Sequence, residues 1–249
     1  TQCVNGSTDT LNQADRNTIL KQLKSLQTQL YAEGNADYAG RTVFTGYRTD
    51  QNLVFTNNET KTSYEIEQNF SYEELESFRY YTGNVKVPAT KDEVLKSDIS
   101  DTTQTNYYRL RTSYDKLDGM SAFSYTTKDA AGATQKVTIN LENATDQTGT
   151  NVDGSNFTYK TATAVDAGGA AINPARTMYV FDTEEDWATV MGQKEVGEND
   201  IVLIKENGNI VLGEKVSSEF RTNKSTIATT YDKTGFDQGE LRPEYYFNC

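Results

Sequence analysis

The chain has 249 residues, a hydrophobic fraction of 35% and a formal net charge of -12, and this length allows one large domain or two modest ones. The acidic charge argues against nucleic acid and anionic membranes as partners, because both repel a negative surface. No apolar run approaches the roughly 20 residues of a membrane-spanning helix, so the sequence predicts no membrane insertion.

The first predicted element is a long helix that begins at Asn12 and ends near Glu33. Asn12 is a suitable N-cap, Asp15 lies at the third helical position, and Gly34 and Asn35 end the helix. Its large aliphatic residues lie four, three and four positions apart and are called here the aliphatic seam: Ile19, Leu23, Leu26 and Leu30. This spacing is typical of helices that pack against another helix. Since burying four such side chains contributes about 6–12 kcal/mol, we expect a helical partner to cover the seam.

Short elements of both kinds are predicted between residues 41 and 118. The segment 41–50 is predicted to be extended or a hairpin, and alternation over 62–70 predicts a strand. Ser71 and Glu74 form a capping box for a short helix, and a strand is predicted over 77–83. A second helix is predicted near 105–117, because its apolar residues are spaced three, four and three apart: Tyr107, Leu110, Tyr114 and Leu117.

From Ala122 onward the sequence favours β-structure. β-branched and aromatic runs alternate with Gly, Asn and Asp clusters, and they predict strands within 122–127, 135–141, 156–165, 177–182, 200–206 and 225–236. Asn207-Gly208 is a strong hairpin turn. Asp182 with Glu185 predicts the start of a helix whose Trp187 is interpreted as a core anchor.

These elements predict an α+β fold, in which a helical rod fragment with a short β segment carries an inserted, mainly antiparallel β domain. The predicted division assigns 1–60 and 224–249 to a discontinuous helical unit. The remaining 61–223 would form a β-rich outer domain. The chain starts without Met and ends at Cys249, and we expect it to be a segment of a longer protein.

Chemistry-bearing motifs are sparse in this sequence. It contains no His, which excludes Ser-His-Asp and Cys-His catalysis and His-bound zinc. The carboxylates of 73–74 and 184–186 lie at predicted helix starts, where they complement the helix dipole, and 151–157 reads as a glycine-containing turn. We therefore predict no enzyme activity, no catalytic residues, no metal site and no cofactor. Cys3 and Cys249 could be paired or free, and the sequence leaves both possibilities open.

Two stretches of the chain resemble a known family. The segment 11–50 is similar to the flagellin family, which has a helix with this opening and an Ile/Leu seam followed by Asn, Gly and a short β segment. The matching positions are Asn12, Ala14, Asp15, Arg16, the aliphatic seam, Asn35 and Gly40. Flagellins usually carry Phe-Asn before that Gly, whereas this chain has Tyr38-Ala39. The continuation from Gly40 to Asp50 resembles the hook-associated protein 3 branch, and 226–249 is similar to the point where such proteins re-enter their C-terminal helices.

The resemblance implies a structural role at the junction between the hook and the filament of the bacterial flagellum. In this family the seam packs against long terminal helices in the manner of a coiled coil. Through these helices the subunits stack into a tube. The implied partners are other copies, flagellin, other hook-associated proteins and an export chaperone that binds the terminal regions. The resemblance also implies that the protein is exported through the flagellar export apparatus and lies outside the cell. Its implied biological process is motility. Two alternatives stay open: a flagellin filament subunit, and a carbohydrate-binding surface module suggested by the Tyr-rich strands.

Overall fold

The computed structural model describes residues 13–47, 49–50, 59–82, 103–129, 131–192, 194–237, 239–240 and 242–243. The chain divides into two compact units, one formed by 1–62 with 234–249 and the other by 63–233. The larger unit is therefore a single continuous segment, and the smaller unit is built from both sides of it. The predicted N-cap Asn12 and both cysteines lie outside the described residues.

The smaller unit contains helix α1 (Gln13–Gly34) and a two-stranded hairpin of β1 (Asp37–Tyr38) and β2 (Arg41–Thr42). The sequence predicts that this helix ends near Glu33, and the observed helix ends one residue later, at Gly34. The first strand of the larger unit, β3 (Glu59–Ser71), contains the predicted strand 62–70. A 3₁₀ turn (Tyr72–Glu74) follows, and its N-cap is Ser71 as predicted.

The larger unit is dominated by strands and contains two further helices. The strands are β4 (Glu76–Thr82), β5 (Thr103–Arg111), β6 (Gly119–Lys128), β7 (Thr134–Asn140), β8 (Thr145–Thr150), β9 (Asn156–Thr163), β10 (Val165–Asp166), β11 (Thr177–Phe181), β12 (Asp200–Ile204), β13 (Asn209–Leu212) and β14 (Thr226–Phe236). The helices are α2 (Glu184–Val190) and α3 (Glu214–Asn223). The strands predicted after Ala122 and the Asn207-Gly208 hairpin are confirmed.

Two sheets organise these strands. One has five strands in the order β10-β7-β6-β14-β3, and the other has seven in the order β4-β5-β13-β12-β11-β9-β8. Neighbours in the seven-stranded sheet are antiparallel except β11 and β12, which pair in parallel. A parallel pair requires a crossover connection, and α2 lies within it.

The main core of the larger unit draws buried side chains from both sheets. Phe123 and Ile139 come from the five-stranded sheet, Leu110 and Leu203 come from the seven-stranded sheet, and Phe220 comes from α3. A second apolar cluster contains Val202 and Phe181 of the seven-stranded sheet, packed with Trp187 of α2. Trp187 is fully buried, which confirms its interpretation as a core anchor.

The existence of two apolar clusters explains the continuous apolar run of β12. Its residues contribute alternately to the two clusters, with Ile201 and Leu203 in the main core and Val202 and Ile204 in the second. A strand covered on both faces needs apolar residues at successive positions rather than at alternate ones. The continuous apolar run of β12 is therefore the pattern expected of a strand that is buried on both faces.

The predicted fold class is wrong in its proportion of helix to strand. The described residues form fourteen strands in three sheets and three α-helices, of which only α1 exceeds ten residues, so the protein is mostly β rather than a helical rod with a small β segment. The prediction gave too much weight to one long helix near the beginning of the chain. β-branched and aromatic residues dominate the rest, and they fit a pleated surface better than a helix.

The helix predicted near 105–117 is also wrong, because β5 occupies Thr103–Arg111. Tyr107 and Leu110 are three residues apart, a spacing that favours one face of a helix. In a strand this spacing places them on opposite faces. Tyr107 packs in the second cluster and Leu110 packs in the main core, so each face of the strand packs against an apolar cluster.

Two further details differ from the prediction. The capping box of α2 is formed one residue later than expected, by Thr183 and Asp186, whereas Asp182 forms an ion pair with Lys205 at 2.7 Å. Helix α3 was not predicted at all. Its N-cap Gly213 makes no side-chain capping bond, so the capping signal is weak, although its buried side chains lie on one face: Val216, Ser217 and Phe220.

Candidate assembly surface

Helix α1 presents the predicted seam on the smaller unit. It is 22 residues long, which corresponds to about 33 Å, and Asp15 in its first turn complements the helix dipole. At its end, the Asn35 amide donates to the Tyr31 carbonyl and the Ala36 amide donates to the Glu33 carbonyl, both at 3.1 Å. These bonds satisfy carbonyl groups that a helix terminus leaves without a helical partner.

The aliphatic seam is incompletely covered. Leu26 is 52% exposed and Leu30 is 65% exposed, while Ile19 and Leu23 are half-buried. Such large aliphatic side chains are usually buried, and each contributes about 1.5–3 kcal/mol when it is. The second half of the seam is therefore a stripe of apolar surface available for packing.

The hairpin after α1 turns through two residues with positive φ. Ala39 has φ 53° and Gly40 has φ 77°, as in the type I′ turn that suits the twist of a two-stranded hairpin. The amide of Val43 donates to the Ala36 carbonyl at 3.1 Å. This bond ties the exit of the hairpin to the segment that follows the helix.

Four large apolar side chains of this hairpin region are exposed to solvent. They are called here the hairpin rim: Tyr38, Val43, Phe44 and Tyr47. The sequence predicts that 41–50 is extended or a hairpin, but it does not predict an apolar surface there. The sequence signal that could have predicted this surface is the presence of three aromatic residues within ten positions, close to the glycine of the turn.

The second segment of the smaller unit approaches α1 at one glycine. Gly239 has φ 85°, and a β-carbon at this position would lie 2.1 Å from the Tyr31 hydroxyl oxygen. The same hydroxyl accepts a hydrogen bond from Gln27 Nε2 at 2.9 Å. The segment that follows β14 therefore depends on glycine to lie against the last turns of the helix.

The acidic clusters occupy the capping positions that the sequence predicts. Glu184, Glu185 and Asp186 form the first turn of α2, and the Asp186 carboxylate accepts a hydrogen bond from the Thr183 amide at 3.1 Å. Glu73 and Glu74 lie in the 3₁₀ turn. Of these carboxylates, Asp186 caps α2, whereas Glu184 forms an ion pair with Lys194 at 2.6 Å and Glu73 accepts a hydrogen bond from the Tyr72 hydroxyl at 3.1 Å.

The predicted glycine-containing turn over 151–157 is likewise present. Asp153 accepts hydrogen bonds from the amide and the hydroxyl of Ser155, at 2.9 and 2.6 Å, and Gly154 has φ 85°. The hydroxyl bond is the main cause of the lowered pKa of the Asp153 carboxyl. This aspartate therefore closes a turn.

One carboxyl of the larger unit has a raised pKa. Burial raises the pKa of Asp200, while a backbone hydrogen bond from Thr177 and the charge of Arg176 oppose that shift. The charged neighbour of this carboxyl is thus a guanidinium rather than a second carboxylate. This arrangement differs from the paired carboxylates of a glycosidase.

Within the ranges that the structure describes, no three His, Cys, Asp or Glu side chains come together in a group that could hold a metal ion. None of the described helices has the length and apolar character needed to cross a membrane.

The aromatic side chains of the seven-stranded sheet cover one another. Tyr159 stacks on Phe181 with ring centroids 5.0 Å apart, and Tyr179 is parallel to Phe181 within 4°. Tyr80 meets Trp187 edge to face at 5.0 Å. Phe181 and Trp187 are fully buried, so neither ring is available for a sugar to stack on.

No family model, curated protein or solved structure matches this chain. The similarity of 11–50 and 226–249 to the flagellin family therefore rests on the residues quoted above.

Proposed function

We propose that the chain is part of a structural subunit of the bacterial flagellum, at the junction between hook and flagellin filament. The observation that carries the proposal is the exposed half of the aliphatic seam on α1, formed by Leu26 and Leu30. Two exposed leucines one turn apart form an apolar stripe that suits packing against a helix. In the family that the sequence resembles, the seam packs in the helical layer through which subunits stack.

The organisation of the chain supports this proposal. The smaller unit, which carries the seam, is made from segments on both sides of the larger unit. A mainly β unit inserted between two halves of a helix-bearing unit is the arrangement that the resemblance implies, with the β unit projecting outward. The proposed partners are other copies, flagellin and other hook-associated proteins, with an export chaperone before assembly outside the cell.

The resemblance of the continuation from Gly40 to Asp50 is what favours the junction branch over a filament flagellin. At the turn, Tyr38-Ala39-Gly40 replaces the Phe-Asn-Gly that flagellins usually carry, and Ala39 takes up a left-handed conformation that Asn adopts more readily. This difference lies next to the seam in sequence, within the segment that carries the resemblance.

The test replaces both exposed seam residues in the protein that the cell assembles. Leu26→Asp with Leu30→Asp places two charges on the stripe, and we expect filaments to detach and motility to be lost. The control pair, Ser25→Asp with Thr28→Asp, adds the same charge at exposed positions of the same helix outside the seam. Circular dichroism of both purified variants checks that the β unit stays folded. Normal filament attachment with both seam aspartates would overturn the proposal.

A further inference from the structure

The outward face of the five-stranded sheet contains a small concavity, whose volume is about 200 Å³. Side chains alternate between the two faces of a strand. Phe123 and Tyr125 of β6 lie in the main core, so the residues between and after them point to the opposite face. Outward-facing side chains of four neighbouring strands line the concavity, and they are Asn69 of β3, Thr226 and Ala228 of β14, Ser124 and Thr126 of β6, and Lys136 of β7.

The floor of this concavity is made of small side chains. Ala228 lies directly opposite Ser124 on the paired strands β14 and β6. Ser124 is only 7% exposed although it is on the outward face, so longer neighbouring side chains surround it. Asn69 and Lys136 stand on β3 and β7, which are three strand spacings, or about 14 Å, apart. The concavity is therefore a shallow trough between two longer side chains.

Three hydrogen-bonding groups of the trough have no partner in the part of the chain that the structure describes. They are the Ser124 hydroxyl, the Asn69 side-chain amide and the Lys136 ammonium. The Thr126 hydroxyl, by contrast, accepts a hydrogen bond from the Thr226 amide at 2.9 Å. A hydroxyl that is more than nine-tenths buried has lost most of its contact with water, so the unpaired Ser124 hydroxyl favours a ligand that supplies an acceptor.

The ammonium group of Lys136 can reach the same point as the Ser124 hydroxyl. Ser124 pairs with Thr138 across β6 and β7, so Ser124 and Lys136 are diagonal neighbours on one face. Such positions are about 7–8 Å apart, which is within reach of a long side chain. A single anionic group can therefore accept hydrogen bonds from both.

The charges around the trough orient such an anion. Lys128 points to the same face and donates to Thr134 Oγ1 at 3.2 Å, which adds positive charge at the β7 side. Glu67 of β3 points outward two residues before Asn69, so the opposite side carries a negative charge. The negative end of a ligand is therefore favoured beside β7, and its uncharged end beside β3.

We propose that the trough binds a small monocarboxylate with an apolar body. The carboxylate accepts hydrogen bonds from the Lys136 ammonium and the Ser124 hydroxyl, and the apolar body lies across Ala228 toward Asn69. A volume of about 200 Å³ is below the roughly 300–1,000 Å³ of sites for drug-sized molecules, so the ligand is small. This inference goes beyond the proposed function, since none of these residues belongs to the aliphatic seam or the hairpin rim.

The test uses the 249-residue chain and 4-fluorobenzoate as the probe, with binding measured by fluorine NMR. We expect a Kd on the order of 1 mM, because so small a ligand gains only a limited free energy of binding. The neutral isostere 4-fluorobenzamide should bind at least about fivefold more weakly, because it lacks the charge that pairs with Lys136. Backbone amide chemical shifts should change at Ser124, Thr126 and Ala228, which places the probe in the trough.

Variants of the chain separate the trough from a general effect of charge. Lys136→Gln should weaken binding of 4-fluorobenzoate at least about fivefold. Lys160→Gln removes the same charge from an exposed position on β9 and should leave the affinity unchanged. Ala228→Ile should abolish binding, because it fills the floor of the trough with a larger side chain that strands accommodate readily. Circular dichroism checks that each variant is folded.

Four results would overturn the inference. One is the absence of binding at about 10 mM 4-fluorobenzoate, where a site with a Kd of about 1 mM would be about nine-tenths occupied. The others are equal affinities for the benzoate and the benzamide, equal effects of Lys136→Gln and Lys160→Gln, and chemical-shift changes confined to residues outside the trough.

Discussion

Gly239 lies so close to Tyr31 that a β-carbon on the glycine would be 2.1 Å from the tyrosine hydroxyl oxygen. The glycine also has φ 85°, a conformation that costs an L-residue about 1–2 kcal/mol. Two separate stretches of the smaller unit thus meet at a position where both backbone conformation and space require glycine.

We expect Gly239→Ala to destabilise the smaller unit by about 2–5 kcal/mol, since it adds overpacking to the left-handed conformation. Amide hydrogen exchange at the C-terminal half of α1 measures the effect. In a Tyr31→Ala background the clash is absent, so the cost of the alanine should fall to the conformational part alone. An equal cost in both backgrounds would show that the ring does not constrain Gly239.

Ala39 adopts a left-handed backbone conformation, with φ 53°, in the hairpin turn. Asn and Gly accept this conformation more readily than Ala, so Ala39→Asn should stabilise the hairpin by about 0.5–1 kcal/mol. Thermal unfolding and exchange of the Val43 amide measure the change. Ala32→Asn, at an exposed helical position, should have the opposite sign, because Asn is a poorer helix former than Ala. A loss of stability in Ala39→Asn would contradict the turn geometry.

The ion pair between Arg176 and Glu219 joins the start of β11 to α3 at 2.7 Å, with side chains only 8% and 19% exposed. Glu219→Ala should destabilise the larger unit by up to about 3–5 kcal/mol, because it removes the carboxylate paired with the buried Arg176 guanidinium, and the nearby Asp200 carboxyl offsets only part of that loss. Urea unfolding measures the loss. The double replacement Arg176→Met with Glu219→Leu should recover most of the stability, since it removes both charges.

A second ion pair of α3 supplies the matched comparison. Lys215 and Glu198 have side chains 59% and 62% exposed, so Lys215→Ala should change the free energy of unfolding by less than about 1 kcal/mol. Equal effects of Glu219→Ala and Lys215→Ala would show that burial does not govern the strength of these pairs.

Asp200 should make stability depend on pH in the direction set by its raised pKa. Because the folded-state pKa lies above the ordinary value of 3.8, the folded protein binds more protons in the interval between the two values. The contribution of Asp200 is therefore present at low pH and is lost as pH rises through the folded-state pKa. The stability of the unmodified chain relative to Asp200→Asn should therefore fall as the pH rises above 3.8, the ordinary pKa of this carboxyl.

Asp153 provides the control of opposite sign. The hydrogen bonds from Ser155 lower its pKa, so its contribution is present above the unfolded value and is lost as pH falls. Relative to Asp153→Asn, the unmodified chain should lose stability on acidification. Urea unfolding of both variants across pH measures the two slopes, and slopes of the same sign would contradict the assigned environments.

The sequence by itself determined the elements whose signals are local. The seam of α1 and the glycine at the end of the helix fixed that helix, because helical periodicity and a C-terminal glycine act within a few residues. The alternation of β14 and the Asn207-Gly208 turn predicted their strands for the same reason. Acidic residues at helix starts were also readable from sequence, since capping involves neighbours three residues apart.

Only the tertiary structure decided which faces are covered. The spacing of Tyr107 and Leu110 is compatible with a helix and with a strand, and β5 is a strand because an apolar cluster lies on each side of it. Helix α3 forms without a side-chain cap, and Val216 and Phe220 on its apolar face are buried in the main core. In the candidate surface, the sequence predicted the seam, but it did not show that the hairpin rim is exposed or that Gly239 lies against Tyr31. Exposure and close approach depend on residues distant in the chain, and local patterns carry no information about them.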